Sequence, residues 1–205
     1  MATTVEHELK KTGKNSGITT FLRRCDEVIR RLIDIFVSAL ALFFLSPFFV
    51  VIAIILRRDS PGPILFKGDR VGKNGKLFKI LKFRTMNETA QSYKGAKITG
   101  TDDPRITPFG KQLRDTKINE LPQLWNVLIG DMSLVGPRPE DPEIVKTWPK
   151  ESRDEILSVS PGITSPASIL YRHEETLLNS RNLMDRYLWD ILPSKLRLDH
   201  LYVRN

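Results

Sequence analysis

Cysteine is nearly absent: Cys25 stands alone, so no internal disulfide forms and nothing requires an oxidising compartment. Histidine is scarce as well, and His7, His173 and His200 have no mutual spacing, which removes a structural zinc and any paired-histidine chemistry. Acidic residues run short of basic ones, 24 against 32, leaving a formal charge of +8. That excess draws polyanions: nucleic acid, anionic lipid headgroups or phosphorylated small molecules. No nucleic-acid recognition motif accompanies the charge, so no nucleic-acid partner is expected. At 205 residues there is no room for two large domains, and with 40% hydrophobic and 27% charged residues the average composition is globular. A protein facing the cytosol is the simpler reading.

One stretch lacks charge altogether. Residues 35–56 are almost entirely aliphatic or Phe, and as a helix they would run about 33 Å, enough to cross a hydrocarbon core of about 30 Å. The run is too long and too late in the chain for a cleaved signal peptide. Ser46-Pro47 falls in its middle. Proline removes a helical hydrogen bond and crowds the preceding turn, so a kink is expected there, with the Ser46 hydroxyl available to the freed carbonyl. Arg30 and Arg31 precede the run and Arg57 and Arg58 follow it, so the positive-inside rule pulls both ends to one side. Two arrangements stay open on these grounds: a bent hairpin that enters and leaves by one face, and a straight span with an incidental kink. Upstream, residues 1–20 show no sustained period and are expected to be a flexible tail. From Phe21 the apolar spacing of three and four describes an amphipathic lead-in at headgroup level. Residues 21–58 thus form the membrane part, and residues 59–205 a polar domain.

In that domain two strand-like stretches, residues 64–71 and 77–84, flank Asn74-Gly75, a strong hairpin signal. Lys82 and Arg84 are the hairpin's candidates for an anion site, whereas its other lysines suit a solvated face. Residues 86–104 read as a long loop of the kind that forms lids. A short helical piece over residues 111–116 carries Arg114. The apolar spacing at Leu121, Leu124, Trp125 and Leu128, closed by Gly130, describes one short amphipathic helix opening at Asn119 and Glu120. Its N-terminus would suit a phosphate that Arg114 also reaches; equally, Asn119 is merely a cap and Glu120 merely suits the helix dipole. Arg138, held between Pro137 and Pro139, has a stiffened backbone suited to bidentate phosphate grip. Ser160-Pro161-Gly162 signals a turn, and a C-terminal amphipathic segment bearing Tyr187, Leu188 and Ile191 follows.

Taken in order, the Ser46-Pro47 break, Ser60-Pro61-Gly62-Pro63, the Arg70/Gly72/Gly75 hairpin, Lys82-Phe83-Arg84-Thr85-Met86, Asp103-Pro104-Arg105-Ile106-Thr107, Leu113-Arg114-Asp115-Thr116, Glu120-Leu121-Pro122-Gln123-Leu124 and residues 130–139 resemble the monotopic polyprenyl-phosphate phosphoglycosyl transferases, the bacterial sugar transferases. The resemblance implies an α/β fold, mostly helical with a small β-hairpin, anchored on the cytoplasmic face of a bacterial inner membrane by a re-entrant helix-break-helix hairpin at Ser46 and Pro47. It implies transfer of a sugar-1-phosphate from a nucleotide diphosphate sugar, usually a UDP-sugar, to polyprenyl phosphate. UMP is released and synthesis of a lipid-linked glycan, as for capsule or exopolysaccharide, begins. The implied partners are those two substrates and membrane lipid, a homo-oligomer is compatible with the picture, and the implied cofactor is Mg²⁺. In the family an Asp-Glu pair does the chemistry, the Asp attacking phosphorus to give an acyl-phosphate intermediate. Lys82, Arg84, Arg114 and Arg138 are the corresponding phosphate-binding candidates.

The chain departs from the pattern where that Asp is expected. Asn119 stands there, a poor nucleophile and a weaker magnesium ligand, while Glu120 remains. Glu120 or another carboxylate such as Asp131 takes the role, or the chain is a catalytically silent membrane-bound subunit that binds nucleotide sugar, or Asn119 is a substitution that traps a state. A second departure, at Ser160 and Ser165-Pro166-Ala167-Ser168, leaves the sugar unnamed.

Overall fold

Helix α1 spans Ala2–Asp59 and carries the apolar run. The computed structural model describes the backbone of residues 2–87, 99, 103–177 and 183–204, with side chains from Cys25 onward apart from Glu175 and Thr176. Residues 2–20, expected as a tail, are therefore helical in the backbone. Helix formers such as Glu6, Glu8, Leu9, Lys10 and Lys11 extend a helix already nucleated downstream, at little cost. Pro47 lies inside α1, which continues through it, so the expected helix-break-helix is not seen as two separate helices. The physical reason is local: proline 47 cannot donate to the Phe43 carbonyl, and the Ser46 hydroxyl donates to that oxygen instead, at 2.8 Å. Phe36, Phe43, Phe44 and Phe48 stand exposed along the helix.

Strands β1 (Leu65–Val71) and β2 (Leu77–Phe83) form the expected antiparallel hairpin, with Leu65 opposite Phe83 and Val71 opposite Leu77. Asn74 and Gly75 supply the positive φ values, 57° and 78°, at its tip. Helix α2 (Pro108–Asp115) follows, capped by the Thr107 hydroxyl, which accepts from the Gly110 N–H. Met86 pairs with Ile106 across the base of the expected 86–104 loop; residues 88–98 and 100–102 of it lie outside the described residues.

Helix α3 occupies Gln123–Ile129 and ends on Gly130 in the left-handed region. It starts four residues later than the spacing suggests. Asn119 is not its cap but lies within a separate 3₁₀ turn, Ile118–Glu120, entered through a left-handed Lys117. Pro122 accounts for the split, because it offers no N–H to continue an α-helical ladder from that turn. A seven-residue α3 displaced from Asn119 thus gives no helix-end phosphate cradle at that residue.

Strand β3 (Ser133–Val135) pairs in parallel with β4 (Gly162–Thr164), a contact the turn signal at Pro161-Gly162 did not reveal. A Cβ on Gly162 would collide with the backbone nitrogen of Gly136, so only glycine permits this approach. Between the strands run α4 (Pro142–Lys146) and α5 (Lys150–Ile156). After β4 come α6 (Pro166–Leu170), α7 (Glu174–Leu177), α8 (Leu183–Arg186), a π-helical turn Tyr187–Ile191, and α9 (Leu192–Arg204).

Among the described residues the core has three parts. Ile52 and Leu56 of α1 pack with Phe83 and Leu113; Phe78 and Ile80 of β2 pack with Val127 and Met132; Val71, Trp148 and Ile156 pack with Tyr187, Ile191 and Leu192. The first two meet through β2, whose alternation turns Phe78 and Ile80 toward α3. Asn126 fastens that contact, its Oδ1 accepting from Leu81 N and its Nδ2 donating to the Lys79 carbonyl, both at 2.9 Å.

Candidate active site

Three elements distant in sequence bring their charges together. Lys82 comes from β2, Glu120 from the end of the 3₁₀ turn, and Arg138 from the loop after β3. Lys82 Nζ donates to Glu120 Oε1 at 2.8 Å. Arg138 grips the same carboxylate with both arms, Nη2 to Oε1 at 2.6 Å and Nη1 to Oε2 at 3.1 Å. The three side chains retain 14% (Glu120), 17% (Lys82) and 26% (Arg138) exposure, so the cluster opens to solvent on one side.

The backbone explains why Arg138 points there. Gly136 N donates to the Thr164 carbonyl and Gly162 N to the Pro137 carbonyl, each at 2.9 Å, which pins the loop upstream. Val71 N donates to the Glu140 carbonyl at 3.1 Å and pins it downstream. Between those points the two prolines restrict rotation.

Charge sets the protonation states. Burial alone would raise the Glu120 carboxyl, but Arg138 and Lys82 hold it well below the usual carboxylate range. Burial pushes Lys82 down to about 8 against the pull of Glu120. The Glu120 charge outweighs burial at Arg138 and raises that guanidinium above its ordinary value. Arg70, read in the sequence only as one hairpin cation among several, lies close enough to feel Glu140, Asp141, Arg138 and Glu120, and its Nη1 is 3.8 Å from Asp141 Oδ2.

Asn119 is buried beside Glu120, and its Oδ1 takes no hydrogen bond. Arg114 Nε donates to Thr85 Oγ1 at 2.9 Å, three residues along the chain from Lys82. Arg84 departs from the expectation. It lies one residue past the end of β2 rather than on a strand face with Lys82, and is 2% exposed. Its guanidinium donates to the carbonyls of Leu56, Ser60 and Pro61 at 3.0, 2.7 and 2.7 Å, so it holds backbone, not phosphate.

A second charge cluster escaped the sequence reading. Lys195 of α9 pairs with Glu140 at 2.9 Å and Glu174 at 3.2 Å and donates to Tyr187 Oη at 2.9 Å. Tyr187 Oη in turn donates to Glu140 Oε1 at 2.7 Å. The available signal was the spacing of Tyr187, Ile191 and Lys195, which puts a lysine on the apolar face of the C-terminal segment.

A bidentate arginine and a lysine around one partly exposed carboxylate suit a phosphorylated ligand, which would compete for the two cations and uncover the carboxylate. Comparison with known proteins narrows this. The bacterial sugar transferase model matches residues 25–205. The exopolysaccharide production protein PSS of Rhizobium leguminosarum bv. phaseoli is 50% identical over 113 residues, 55% of this chain and 56% of that protein. A UDP-N-acetylgalactosamine-undecaprenyl-phosphate N-acetylgalactosaminephosphotransferase of Aeromonas hydrophila is 36% identical over 177 residues, 85% of this chain and 42% of that protein. The UDP-glucose:undecaprenyl-phosphate glucose-1-phosphate transferase of Escherichia coli (strain K12) is 38% identical over 156 residues, 75% of this chain and 32% of that protein. The chain thus spans about half or less of the length of these relatives. With the family model covering well over half of its length, the chain belongs to the bacterial sugar transferase family.

Proposed function

We propose that the chain transfers a sugar-1-phosphate from a UDP-sugar to undecaprenyl phosphate, with Glu120 as the nucleophile. The observation that carries this is the grip of Lys82 and Arg138 on Glu120, a carboxylate kept ionised beside two phosphate-binding groups. The donor's diphosphate draws both cations onto its own oxygens, which frees a Glu120 oxygen. That oxygen attacks the phosphorus bearing the sugar, the bond to the UMP oxygen breaks, and an acyl-phosphate sugar is left on the enzyme. The lipid phosphate then attacks the same phosphorus, and Glu120 leaves as carboxylate. Arg138 and Lys82 meet the charge that builds on the transferring group in both steps. The names of the Aeromonas and Escherichia relatives share undecaprenyl phosphate but differ in the sugar, N-acetylgalactosamine in one and glucose in the other, so the acceptor carries over and the sugar does not.

Among the described residues no cluster of three His, Cys, Asp or Glu side chains forms a metal site of its own. Magnesium fits this proposal as an ion carried on the diphosphate, with Glu120 and the unpartnered Oδ1 of Asn119 as the protein oxygens offered to it. Bound there, it would neutralise phosphate charge.

The proposal places the enzyme on the cytoplasmic face of a bacterial inner membrane, with the apolar part of α1 dipping into one leaflet and returning at Ser46-Pro47. Both flanks of the run are fastened to one body, which supports that placement. Arg31 donates to the carbonyls of Val127 and Leu128 at 2.6 and 2.8 Å, and Asp34 accepts from Leu134 N at 3.0 Å. On the other flank Phe49 meets Phe83 edge to face at 5.2 Å, and Ile52 and Leu56 join its cluster. Between Asp34 and Phe49 only residues 35–48 stay clear of those attachments, about 21 Å as a straight helix, too little to cross about 30 Å of hydrocarbon, and the polar body that holds both has no place inside hydrocarbon.

The test is UMP release by the purified protein given a panel of UDP-sugars, Mg²⁺ and undecaprenyl phosphate. Release that disappears in Glu120→Gln supports the transferase. Asn119 favours the other reading, a silent nucleotide-sugar-binding subunit, and binding of a donor without release across the whole panel would establish it.

A further inference from the structure

The four residues Lys82, Phe83, Arg84 and Thr85 each fasten a different part of the molecule. Lys82 holds Glu120 at 2.8 Å, Phe83 packs on Phe49 of the apolar run, Arg84 clamps the end of α1, and Thr85 accepts from Arg114 at 2.9 Å. Both Nη atoms of Arg84 take part in the clamp. Its Nη1 donates to the Pro61 carbonyl, and its Nη2 donates to those of Leu56 and Ser60. Leu56 lies in the last turn of α1, its carbonyl also accepting from Ser60 N at 3.3 Å, and Ser60 is the first residue beyond the helix; a cation there meets the negative end of the helix dipole. The Arg84 N–H donates to the Ile64 carbonyl at 2.9 Å, so backbone and side chain hold the same junction. Thr85 is held in turn: its carbonyl accepts from Thr107 N at 3.1 Å, and any Cβ on Gly110 would strike that carbonyl.

We propose that Arg84 is a positioning residue for the transfer reaction: by clamping the end of α1 it fixes the strand exit that carries Lys82 and Thr85, and so sets where Lys82 and Arg114 stand relative to the apolar run. Arg84 touches no substrate. Lysine cannot replace it, because one ammonium lacks the planar fork that spans three carbonyls. The activity arm of the test rests on the transferase reading; the labelling arm does not.

The experiment compares the native full chain with Arg84→Lys, both in vesicles of phosphatidylethanolamine and phosphatidylglycerol, after matched circular dichroism. Pulse acetylation with acetic anhydride, read by peptide mass, should modify Lys82 about five-fold or more faster in Arg84→Lys, as expected of a locally loosened segment, with exposed Lys150 unchanged. Equal Lys82 labelling in the two proteins overturns the proposal. In the activity arm, KM for the UDP-sugar should rise about ten-fold in Arg84→Lys. A fall in Vmax at unchanged KM is what a merely structural role produces, and it too overturns the proposal. Should Arg84→Lys not fold, Thr85→Val carries the test, since it cuts the link to Arg114 and leaves the clamp intact. Its donor KM should rise with little change in melting, and an unchanged KM counts against the proposal. A native protein that releases no UMP refutes the transferase reading and leaves the labelling result to decide this one.

Discussion

Two charge clusters stand side by side, and only Pro139 separates Arg138 of one from Glu140 of the other. In the first, Lys82, Glu120 and Arg138 keep 14–26% of their side chains exposed. In the second, the carboxylates of Glu140 and Glu174 keep 15% and 32% exposure, but the cation does not: Lys195 is 4% exposed and shares Glu140 with the Tyr187 hydroxyl inside the packing of the C-terminal helices. The chemistry of the two is alike, a carboxylate held by cationic donors, and access to the cations makes the difference. Where water and ligand enter, a phosphate can displace the carboxylate from its partners. Where they do not, the ion pair can only hold the fold, and removing one partner strands the other. The first cluster is therefore expected to answer to substitution in activity, the second in stability.

The largest effect that would break this contrast is at Glu120. Glu120→Gln should lower UMP release by about 10³-fold or more, since a neutral amide is no nucleophile, with a smaller loss of stability than at Lys195, because the cations left behind, Lys82 and Arg138, keep 17% and 26% exposure to water. Next, Lys195→Met should cost about 3–5 kcal/mol by leaving Glu140 buried without its cation. Denaturant unfolding measures it, and a donor KM unchanged in the protein that remains folded would confirm that the second cluster serves the fold. Lys82 sharpens the contrast through pH. It is charged below its midpoint of about 8 and neutral above it. Donor KM should thus rise about ten-fold per pH unit beyond that midpoint, and Lys82→Arg should remove the rise. The smallest effect is at Tyr187: Tyr187→Phe deletes hydrogen bonds within the second cluster and should cost about 1 kcal/mol, with donor KM unchanged.

What could be read in advance divides along the range of the interactions. Asn74-Gly75 announces its hairpin because the turn chemistry is contained in two residues. Ser46 and Pro47 announce their exchange of hydrogen bonds because donor and acceptor sit on one turn of helix. Arg138 is legible from its flanking prolines, and Lys82 and Glu120 from their place in the family's motifs. The parallel β3–β4 contact is not legible, because it depends on Gly136 and Gly162 meeting across 26 positions of chain. Arg84 misleads for a similar reason: a cation beside Lys82 resembles an anion ligand until α1 delivers three carbonyls to it. Asn119 looks like a helix cap, since nothing nearby in sequence tells how far Pro122 displaces the start of α3.

The central claim is that Glu120 carries the sugar phosphate between donor and lipid. Intact mass of the native chain after exposure to the UDP-sugar that supports release, with lipid acceptor left out, tests it most directly. The account predicts a single phosphosugar adduct, mapped by peptide analysis to Glu120 and lost when undecaprenyl phosphate is added. An adduct on another carboxylate such as Asp131, or lipid-dependent UMP release that persists at the native rate in Glu120→Gln, would contradict it.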